Sequence, residues 1–160
     1  MRTARMLFVL ASALALAAAG AYAESDWLKG NTEQQVKTLA EIQPGLGTVM
    51  IEYSTRYTNA YYAAKGGNWD LAAYEIKEAR EIQEVGETTR PARAAALKGF
   101  EKNYLDPLDA AIKAKDFKKF DKAFKDGIQG CNTCHVGQGF SYIKYQLPKG
   151  PTLPLAMMKP

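Results

Sequence analysis

The only cysteines and the only histidine of this chain lie within five residues, CNTCH, from Cys131 to His135. Positions i, i+3 and i+4 of an α-helix share a face, so Cys131, Cys134 and His135 would point the same way on a helix. Two thiols and an imidazole at this spacing match the attachment pattern of a c-type haem. The thiols would form thioethers to the two porphyrin vinyl groups, and the imidazole would bind the iron on its proximal side. We therefore predict one covalently attached haem c, with His135 as an iron ligand.

Other uses of a cysteine pair account less well for the motif. A thioredoxin-like redox pair would lie beside a βαβ unit, and the chain has no alternating strand pattern of useful length. A structural zinc site takes about four nitrogen or sulfur ligands, whereas the cysteines and histidine of this chain number only three. A disulfide between Cys131 and Cys134 would close a loop too small to restrict the unfolded chain much.

Residues 1–23 have the organisation of a cleaved secretory signal peptide. Arg2 and Arg5 precede an apolar run from Met6 to Ala19, and Ala21-Tyr22-Ala23 places small residues where a signal peptidase cuts. The run is shorter than the roughly 20 residues that span a bilayer, which disfavours an uncleaved anchor. We therefore expect export, a periplasmic location and no stable membrane insertion after cleavage.

The remainder of the chain is large enough for one domain with a hydrophobic core. The formal net charge of +4 and the pI of about 9.0 include the arginines of the signal peptide. The exported protein is therefore closer to neutral than these values indicate. Such a charge balance does not favour nucleic-acid binding, and we expect no nucleic-acid partner.

The mature region shows four helical segments joined by short breaks. In the fourth segment, the side chains that lead up to the motif recur at steps of three and four, the helical period. They are Phe117, Phe120, Phe124, Ile128, Cys131 and His135. An aromatic stripe therefore continues into the motif on one helical face. This helix should end near Gly137-Gln138-Gly139.

The first two segments have recognisable boundaries. The first runs from about Thr32 to Lys65 and is interrupted at Pro44-Gly45, because proline and glycine break a helix. Asn68 is suited to cap the second segment, which ends at Gly86. The inner face of this second segment, interrupted by a glutamate, is expected to comprise Leu71, Tyr74, Ile82 and Val85.

The third segment begins at Pro91, which suits the first turn of a helix because it lacks an N–H group. Pro107 lies inside the segment and should kink it, since proline removes a hydrogen bond. The expected apolar face comprises Leu97, Phe100, Tyr104, Leu108 and Ile112. Four amphipathic segments with short connections predict an all-α fold, an antiparallel four-helix bundle, over residues 24–139. Residues 140–160 are rich in proline and should form an irregular C-terminal extension.

The sixth coordination position of the iron has few candidate ligands in this sequence. The methionines beyond the signal peptide are Met50, Met157 and Met158. A thioether is a common partner of histidine in electron carriers and raises the potential. Met50 lies on the inner face of the first segment, although ordinary core packing is the usual role of such a methionine. An extended tail, at about 3.3 Å per residue, could also bring Met157 or Met158 to the iron, and an open position is a third alternative.

An exported helical chain with C-x-x-C-H on its last helix resembles the class II cytochromes c, which comprise the cytochromes c prime and their low-spin relatives. The resemblance covers about Thr32 to Val136 and depends on the motif and its placement. In low-spin members it implies a methionine of the first helix as sixth ligand, which corresponds to Met50 here. In the cytochromes c prime the sixth position is open and binds gases such as nitric oxide. Frequent pairing of family members through their first two helices also suggests a homodimer.

These features predict an electron carrier that exchanges electrons with redox partner proteins, and not an enzyme. The alternative is a five-coordinate protein that binds or senses NO or CO, with His135 as the sole axial ligand. A haem peroxidase is the weakest hypothesis, because no distal histidine exists to act as an acid–base catalyst.

Several charged residues near the motif could contact a partner or the haem. We expect the lysines to form the solvent-facing side of an amphipathic helix, rather than a collar that steers an acidic partner. They are Lys113, Lys115, Lys118, Lys119, Lys122 and Lys125. Arg56 is a candidate partner for a haem propionate.

Overall fold

The computed structural model describes residues 27–158 of the chain. The signal peptide predicted for residues 1–23 lies outside the described residues. The chain divides into two compact units, with the boundary in the sequence between Gln43 and Pro44. The first unit contains one described helix, α1 (Thr32–Glu41), which buries none of its residues. Asn31 and Gln34 form a capping box at its start, so each side chain satisfies a backbone N–H of the other.

The second unit is helical, which confirms the predicted all-α class. Its elements are α2 (Leu46–Lys65), α3 (Trp69–Thr89), α4 (Pro91–Phe100), a π-helical turn (Glu101–Leu105), α5 (Asp106–Lys113) and α6 (Phe117–Gly137). Between residues 27 and 158, the only β-type pairing is an isolated bridge that joins Gly67 and Met158. None of the helices in this described part is both long enough and apolar enough to cross a membrane.

Local sequence determines where the helices begin and end. The interruption expected at Pro44-Gly45 is confirmed, because α1 ends at Glu41 and α2 begins at Leu46. The side chain of Asn68 accepts a hydrogen bond from the Leu71 N–H at 3.2 Å and caps α3, as predicted. Asp116 caps α6 in the same way through the Lys119 N–H at 3.0 Å. Caps of this kind stabilise a helix end by about 1 kcal/mol.

Pro107 does not end its helix, because the π-helical turn lies immediately before it. The Asp106 N–H donates to the Glu101 carbonyl, a reach of five residues instead of four. This turn marks the irregularity that we predicted at Pro107, and the chain continues directly into α5. The face expected for this segment is largely confirmed, since Leu97, Phe100, Leu108 and Ile112 are buried and Tyr104 is half-buried.

The core of the second unit is centred on aromatic side chains of α2 and α6. The rings of Tyr57 and Phe124 stack with their centroids 4.3 Å apart, and both side chains are fully buried. The Tyr57 hydroxyl donates to the Phe124 carbonyl at 3.3 Å, so its burial leaves no unsatisfied group. Such rings contribute large apolar areas and fix the two helices against each other.

The inner face predicted for α3 was wrong for two of its four residues. Tyr74 and Val85 are 49% and 45% exposed, whereas Leu71 and Ile82 are partly buried and pack against the core. The buried residues of α3 are Ala72, Glu75, Ile76, Ala79, Gln83, Gly86 and Glu87. The buried face of α3 thus consists of small residues, which allow α2 to approach closely, and of polar residues that have hydrogen-bond partners. At Gly86, an added Cβ would lie 2.9 Å from Leu46 Cδ1.

Glu75 is fully buried where α3 faces α2. The Arg56 guanidinium donates to one of its carboxylate oxygens at 3.4 Å, while the other oxygen has no partner. Burial raises the pKa of Glu75, Arg56 lowers it in part, and nearby Glu52 and Glu78 raise it further. The folded protein therefore favours the protonated form of Glu75 more than the unfolded chain does.

A pKa raised by folding makes a carboxyl group increasingly destabilising as pH rises through the folded pKa. Glu75→Gln cannot titrate at this position. As pH rises from 4 to 7, we therefore expect the free energy of unfolding of Glu75→Gln to increase relative to that of the unmodified protein. Urea unfolding at several pH values measures this difference. Glu84→Gln, at an exposed position of the same helix, is the matched control. A difference that is the same at every pH for Glu75→Gln would contradict the account.

Candidate functional site

The CNTCH motif lies in the last turns of α6, and this helix ends at Gly137 as predicted. Cys131, Cys134 and His135 are half-buried and lie on the face that includes Phe120 and Phe124, whereas Thr133 and Val136 are exposed. The predicted common face is confirmed. Both cysteines are free thiols.

The thiols lack the properties of a redox-active pair. Burial raises the pKa of Cys131 to about 12, and the neighbouring Cys134 contributes to the increase. Burial also raises the pKa of Cys134, although Arg93 opposes the effect. Reactive cysteines have lowered pKa values, because the thiolate is the nucleophile. The environment therefore does not favour thiol–disulfide chemistry by the protein alone.

The imidazole of His135 has a defined hydrogen-bond partner. Its Nδ1 lies 3.0 Å from the backbone carbonyl oxygen of Ile143, in the C-terminal extension. A carbonyl can only accept, so this bond requires the proton on Nδ1 and leaves the lone pair of Nε2 for a metal. Metal-binding histidines commonly make such a bond, which fixes the ring and increases its basicity.

Two glycines bring tyrosine side chains close to α6 on the same side as the thiols. A Cβ at Gly130 would lie 2.5 Å from Cζ of Tyr104, and one at Gly127 would collide with the Tyr57 hydroxyl. Both glycines are buried. Because any other residue would push these rings away, the glycines allow aromatic side chains to lie directly against the backbone that leads into the motif.

Contacts between α2 and α6 place Met50 near the level of the motif. Tyr61 bonds Asp121 and Tyr57 stacks on Phe124, so residue numbers rise along α2 as they fall along α6. Burial, followed by the nearby Cys131 thiol, raises the pKa of both Tyr57 and Tyr53, which lies one helical turn earlier in α2. Met50 lies one helical turn before Tyr53 and packs against the core.

The tail methionines lie at the other end of α2. Met158 pairs with Gly67, and the carbonyl of Met157 lies against Gly66, both just after the last residue of α2. At a rise of about 1.5 Å per residue, Gly67 is roughly 25 Å along the axis from Met50. The structure thus separates Met157 and Met158 from the end of α2 that faces the motif.

Tyr53 has a buried hydroxyl group without a hydrogen-bond partner. The side chain is 5% exposed, and its ring packs edge-on against Phe100. An unpaired buried hydroxyl group costs about 1–3 kcal/mol, so natural proteins contain few of them. Its position near Cys131 gives the thiol side of α6 a buried polar group.

Several other residues near the motif also escaped the sequence analysis. Asn132, between the two cysteines, exchanges two hydrogen bonds with the backbone of Tyr145, at 3.1 and 2.7 Å. Arg93 donates to Gln138, and its guanidinium lies 5.8 Å from the centroid of the Phe140 ring. Their sequence signal is weak, because each depends on a contact with the C-terminal extension or with the end of α6.

The predicted roles of Arg56 and of the lysines can be compared with the contacts that these residues make. Arg56 is held by Glu52 at 2.7 Å and by Glu75, so its guanidinium already has carboxylate partners. Lys122 and Lys125 pair with aspartates on the exposed side of α6, and Lys119 pairs with its cap residue, Asp116. These contacts agree with the predicted solvent-facing side of the helix.

A groove of about 830 Å³ lies between α5, the π-helical turn and α6. Its lining includes Tyr104, Pro107, Ala111, Lys119 and Gln129. The residues that line it do not include Cys131, Cys134 or His135. Tyr104, which lines the groove, is also the residue that contacts Gly130, so this ring separates the groove from the Gly130 backbone.

The donor set of the motif suits a haem better than a bare metal ion. Two free thiols on the inward face can form thioethers, and the His135 ring presents Nε2 as a ligand. Across residues 27–158, no three or more His, Cys, Asp or Glu side chains form a group that could hold a metal ion. Comparison with family models, curated proteins and solved structures gives no match for this chain.

The close contact at Gly130 can be tested by mutation. Gly130→Ala should lower the free energy of unfolding by about 1–3 kcal/mol, because the new methyl group overlaps the Tyr104 ring. Gly99→Ala in α4 has nothing within 4 Å of the added Cβ and should instead stabilise by about 0.5–1 kcal/mol. Chemical denaturation of both variants measures the difference. Equal stabilisation by the two alanines would show that Tyr104 does not lie against α6.

Proposed function

We propose that this chain is an exported monohaem c-type cytochrome that carries electrons. The observation that carries the proposal is the arrangement at the end of α6. Cys131, Cys134 and His135 share its inward face, and the Nδ1 bond of His135 to the Ile143 carbonyl leaves the Nε2 lone pair to act as a ligand. The proposal includes covalent attachment through both thiols and proximal ligation by His135.

The proposed architecture is an antiparallel four-helix bundle. Its helices are α2, α3, the continuous run of α4 through α5, and α6. The opposed order of contacts along α2 and α6 supports this arrangement. So do the short connections between successive helices. Together with the position of the motif on the last helix, this arrangement is similar to that of the class II cytochromes c.

Met50 is the proposed sixth ligand. The contacts of Tyr53, Tyr57 and Tyr61 place the first turns of α2 near the level of the motif, and Met50 faces the core there. A neutral thioether opposite an imidazole favours the ferrous state and raises the potential, which suits an electron carrier. The alternative ligands Met157 and Met158 are held at the other end of α2.

The side chains around the motif would serve an electron carrier by binding, orienting and excluding water. A bound haem iron would supply a one-electron ferric–ferrous couple. Cys131 and Cys134 would hold the macrocycle, and His135 would be kept in one orientation by its carbonyl partner. Tyr104, which lies against Gly130 next to Cys131, and Phe100, which packs on Tyr104, would provide apolar surface that lowers the local dielectric and tunes the potential.

A second function is supported by the Tyr53 hydroxyl. This group is buried, unpartnered and one turn from Met50, so it could donate a hydrogen bond to a small ligand on an open sixth position. In that case His135 would be the sole axial ligand, and the protein would bind or sense NO or CO. The two functions differ in the coordination number of the iron.

Export to the periplasm follows from the predicted signal peptide and belongs to the proposal. Redox partner proteins would exchange electrons with the protein, and a homodimer is the oligomeric state suggested by the resemblance. The near-neutral charge of the mature chain gives no reason to add a nucleic-acid partner.

Optical spectra in both oxidation states distinguish the two functions. For the electron carrier we expect low-spin, six-coordinate spectra and the weak long-wavelength ferric band of iron–methionine ligation. Met50→Ala should abolish this band and lower the reduction potential, because the thioether ligand is lost. The haem should stay attached, since both cysteines remain.

Met157→Ala is the matched control and should leave the band and the potential unchanged. Loss of the band in Met157→Ala, with no effect of Met50→Ala, would contradict the assignment of the ligand. High-spin spectra of the unmodified protein, with ready binding of CO to the ferrous form, would favour the gas-binding function over the electron carrier.

A further inference from the structure

The C-terminal extension returns to α6 immediately after the helix ends. Gly139 has a φ of 86°, a left-handed conformation that glycine adopts without strain, and it reverses the chain. The Phe140 N–H then donates to the His135 carbonyl at 2.7 Å, and the Ile143 N–H donates to the Phe140 carbonyl at 2.9 Å. This compact turn places the Ile143 carbonyl beside the imidazole of His135.

Asn132 holds the next part of the extension by a reciprocal pair of hydrogen bonds. Its Oδ1 accepts from the Tyr145 N–H at 2.7 Å, and its Nδ2 donates to the Tyr145 carbonyl at 3.1 Å. An amide side chain that satisfies both backbone groups of one residue fixes that residue in position and direction. The orientation of the Asn132 amide is determined by these two partners.

The side chain of Tyr145 ties the extension to α2 as well. Its hydroxyl group bonds the Thr58 hydroxyl at 2.8 Å, and its ring packs edge-on against Tyr57 with centroids 5.8 Å apart. Tyr145 is half-buried, and Thr58 is buried. The segment from Phe140 to Tyr145 is therefore attached at α6 through Asn132 and at α2 through Thr58.

We infer that Asn132 is a positioning residue for the proximal ligand. By holding Tyr145, Asn132 keeps the Ile143 carbonyl within hydrogen-bond distance of His135 Nδ1. That bond fixes the tautomer and the ring orientation of His135 and increases the electron donation of Nε2. The effect on a haem iron rests on the proposed function. The hydrogen-bond clamp itself, which consists of the bonds from Asn132 to Tyr145 and from His135 to Ile143, is part of the observed structure.

The position of Asn132 explains why the clamp can act on the ligand. Asn132 precedes His135 by three residues, so the two side chains lie on neighbouring positions of one helical surface. The extension crosses that surface and contacts both side chains within three of its own residues, Ile143 to Tyr145. A substitution of Asn132 is therefore expected to change the position of the Ile143 carbonyl, and so the hydrogen bond of His135, through the backbone between Ile143 and Tyr145. No direct contact between the two side chains is needed.

The test compares three variants of the mature, haem-loaded protein. Asn132→Ala removes both hydrogen bonds, and Asn132→Leu removes them while keeping the number and branching of the side-chain heavy atoms. Thr133→Ala, at the exposed neighbouring position, is the matched control. Hydrogen exchange of the Tyr145 amide reports on the clamp, and the reduction potential reports on the electron donation of His135.

We expect the Tyr145 amide to exchange about two- to twelvefold faster in both Asn132 variants, since a lost hydrogen bond contributes about 0.5–1.5 kcal/mol and opening is local. The potential should shift upward in both, because a less basic imidazole stabilises the ferric state less. Thr133→Ala should change neither quantity. A potential that shifts in Asn132→Ala but not in Asn132→Leu would indicate lost packing and would overturn the inference.

Faster exchange with an unchanged potential in both Asn132 variants would also overturn it, because the clamp would then not act on the ligand. Haem missing from the unmodified protein would contradict the proposed function instead. The exchange experiment remains informative in that case, since equal protection of Tyr145 in all variants would show that the clamp itself is absent.

Discussion

The register between α2 and α6 is the constraint on which the remaining structure depends. It is set by the stacked rings of Tyr57 and Phe124 and by the hydroxyl bond from Tyr57 to the α6 backbone. Gly127 makes that approach possible, because a side chain there would collide with Tyr57. With this register fixed, the motif and the first turns of α2 lie at the same end of the helix pair. The proposed ligands His135 and Met50 can then belong to one site.

The C-terminal extension completes this site on its other side. Through Asn132 and Thr58 it is attached to α6 and α2 together, and it supplies the carbonyl partner of His135. Farther along, Thr152 bonds to the buried Asn59, and Met158 pairs with Gly67. The extension therefore covers α2 along much of its length, and at the far end Met157 packs against the core while the Met158 side chain is exposed.

Periodicity in the sequence was sufficient to predict the helical class and the common face of the motif, and the residue types of Pro44-Gly45 predicted the break. Periodicity failed for part of α3, because Glu75 and Gln83 are polar residues whose burial depends on partners in other segments, Arg56 and the Leu97 carbonyl. The roles of Asn132 and Tyr145 were missed for the same reason. Their hydrogen bonds join residues that lie 13 positions apart across an irregular turn, and helical spacing carries no information about such contacts.

The most direct measurement of the central claim is the intact mass of the mature protein under denaturing conditions, with its visible spectrum after acid extraction. The protein is produced in a host with a complete cytochrome c maturation pathway. The account predicts the mass of the polypeptide beginning at Glu24 plus one haem, and a colour that stays with the denatured chain. Colourless protein at the mass of the bare polypeptide would contradict it.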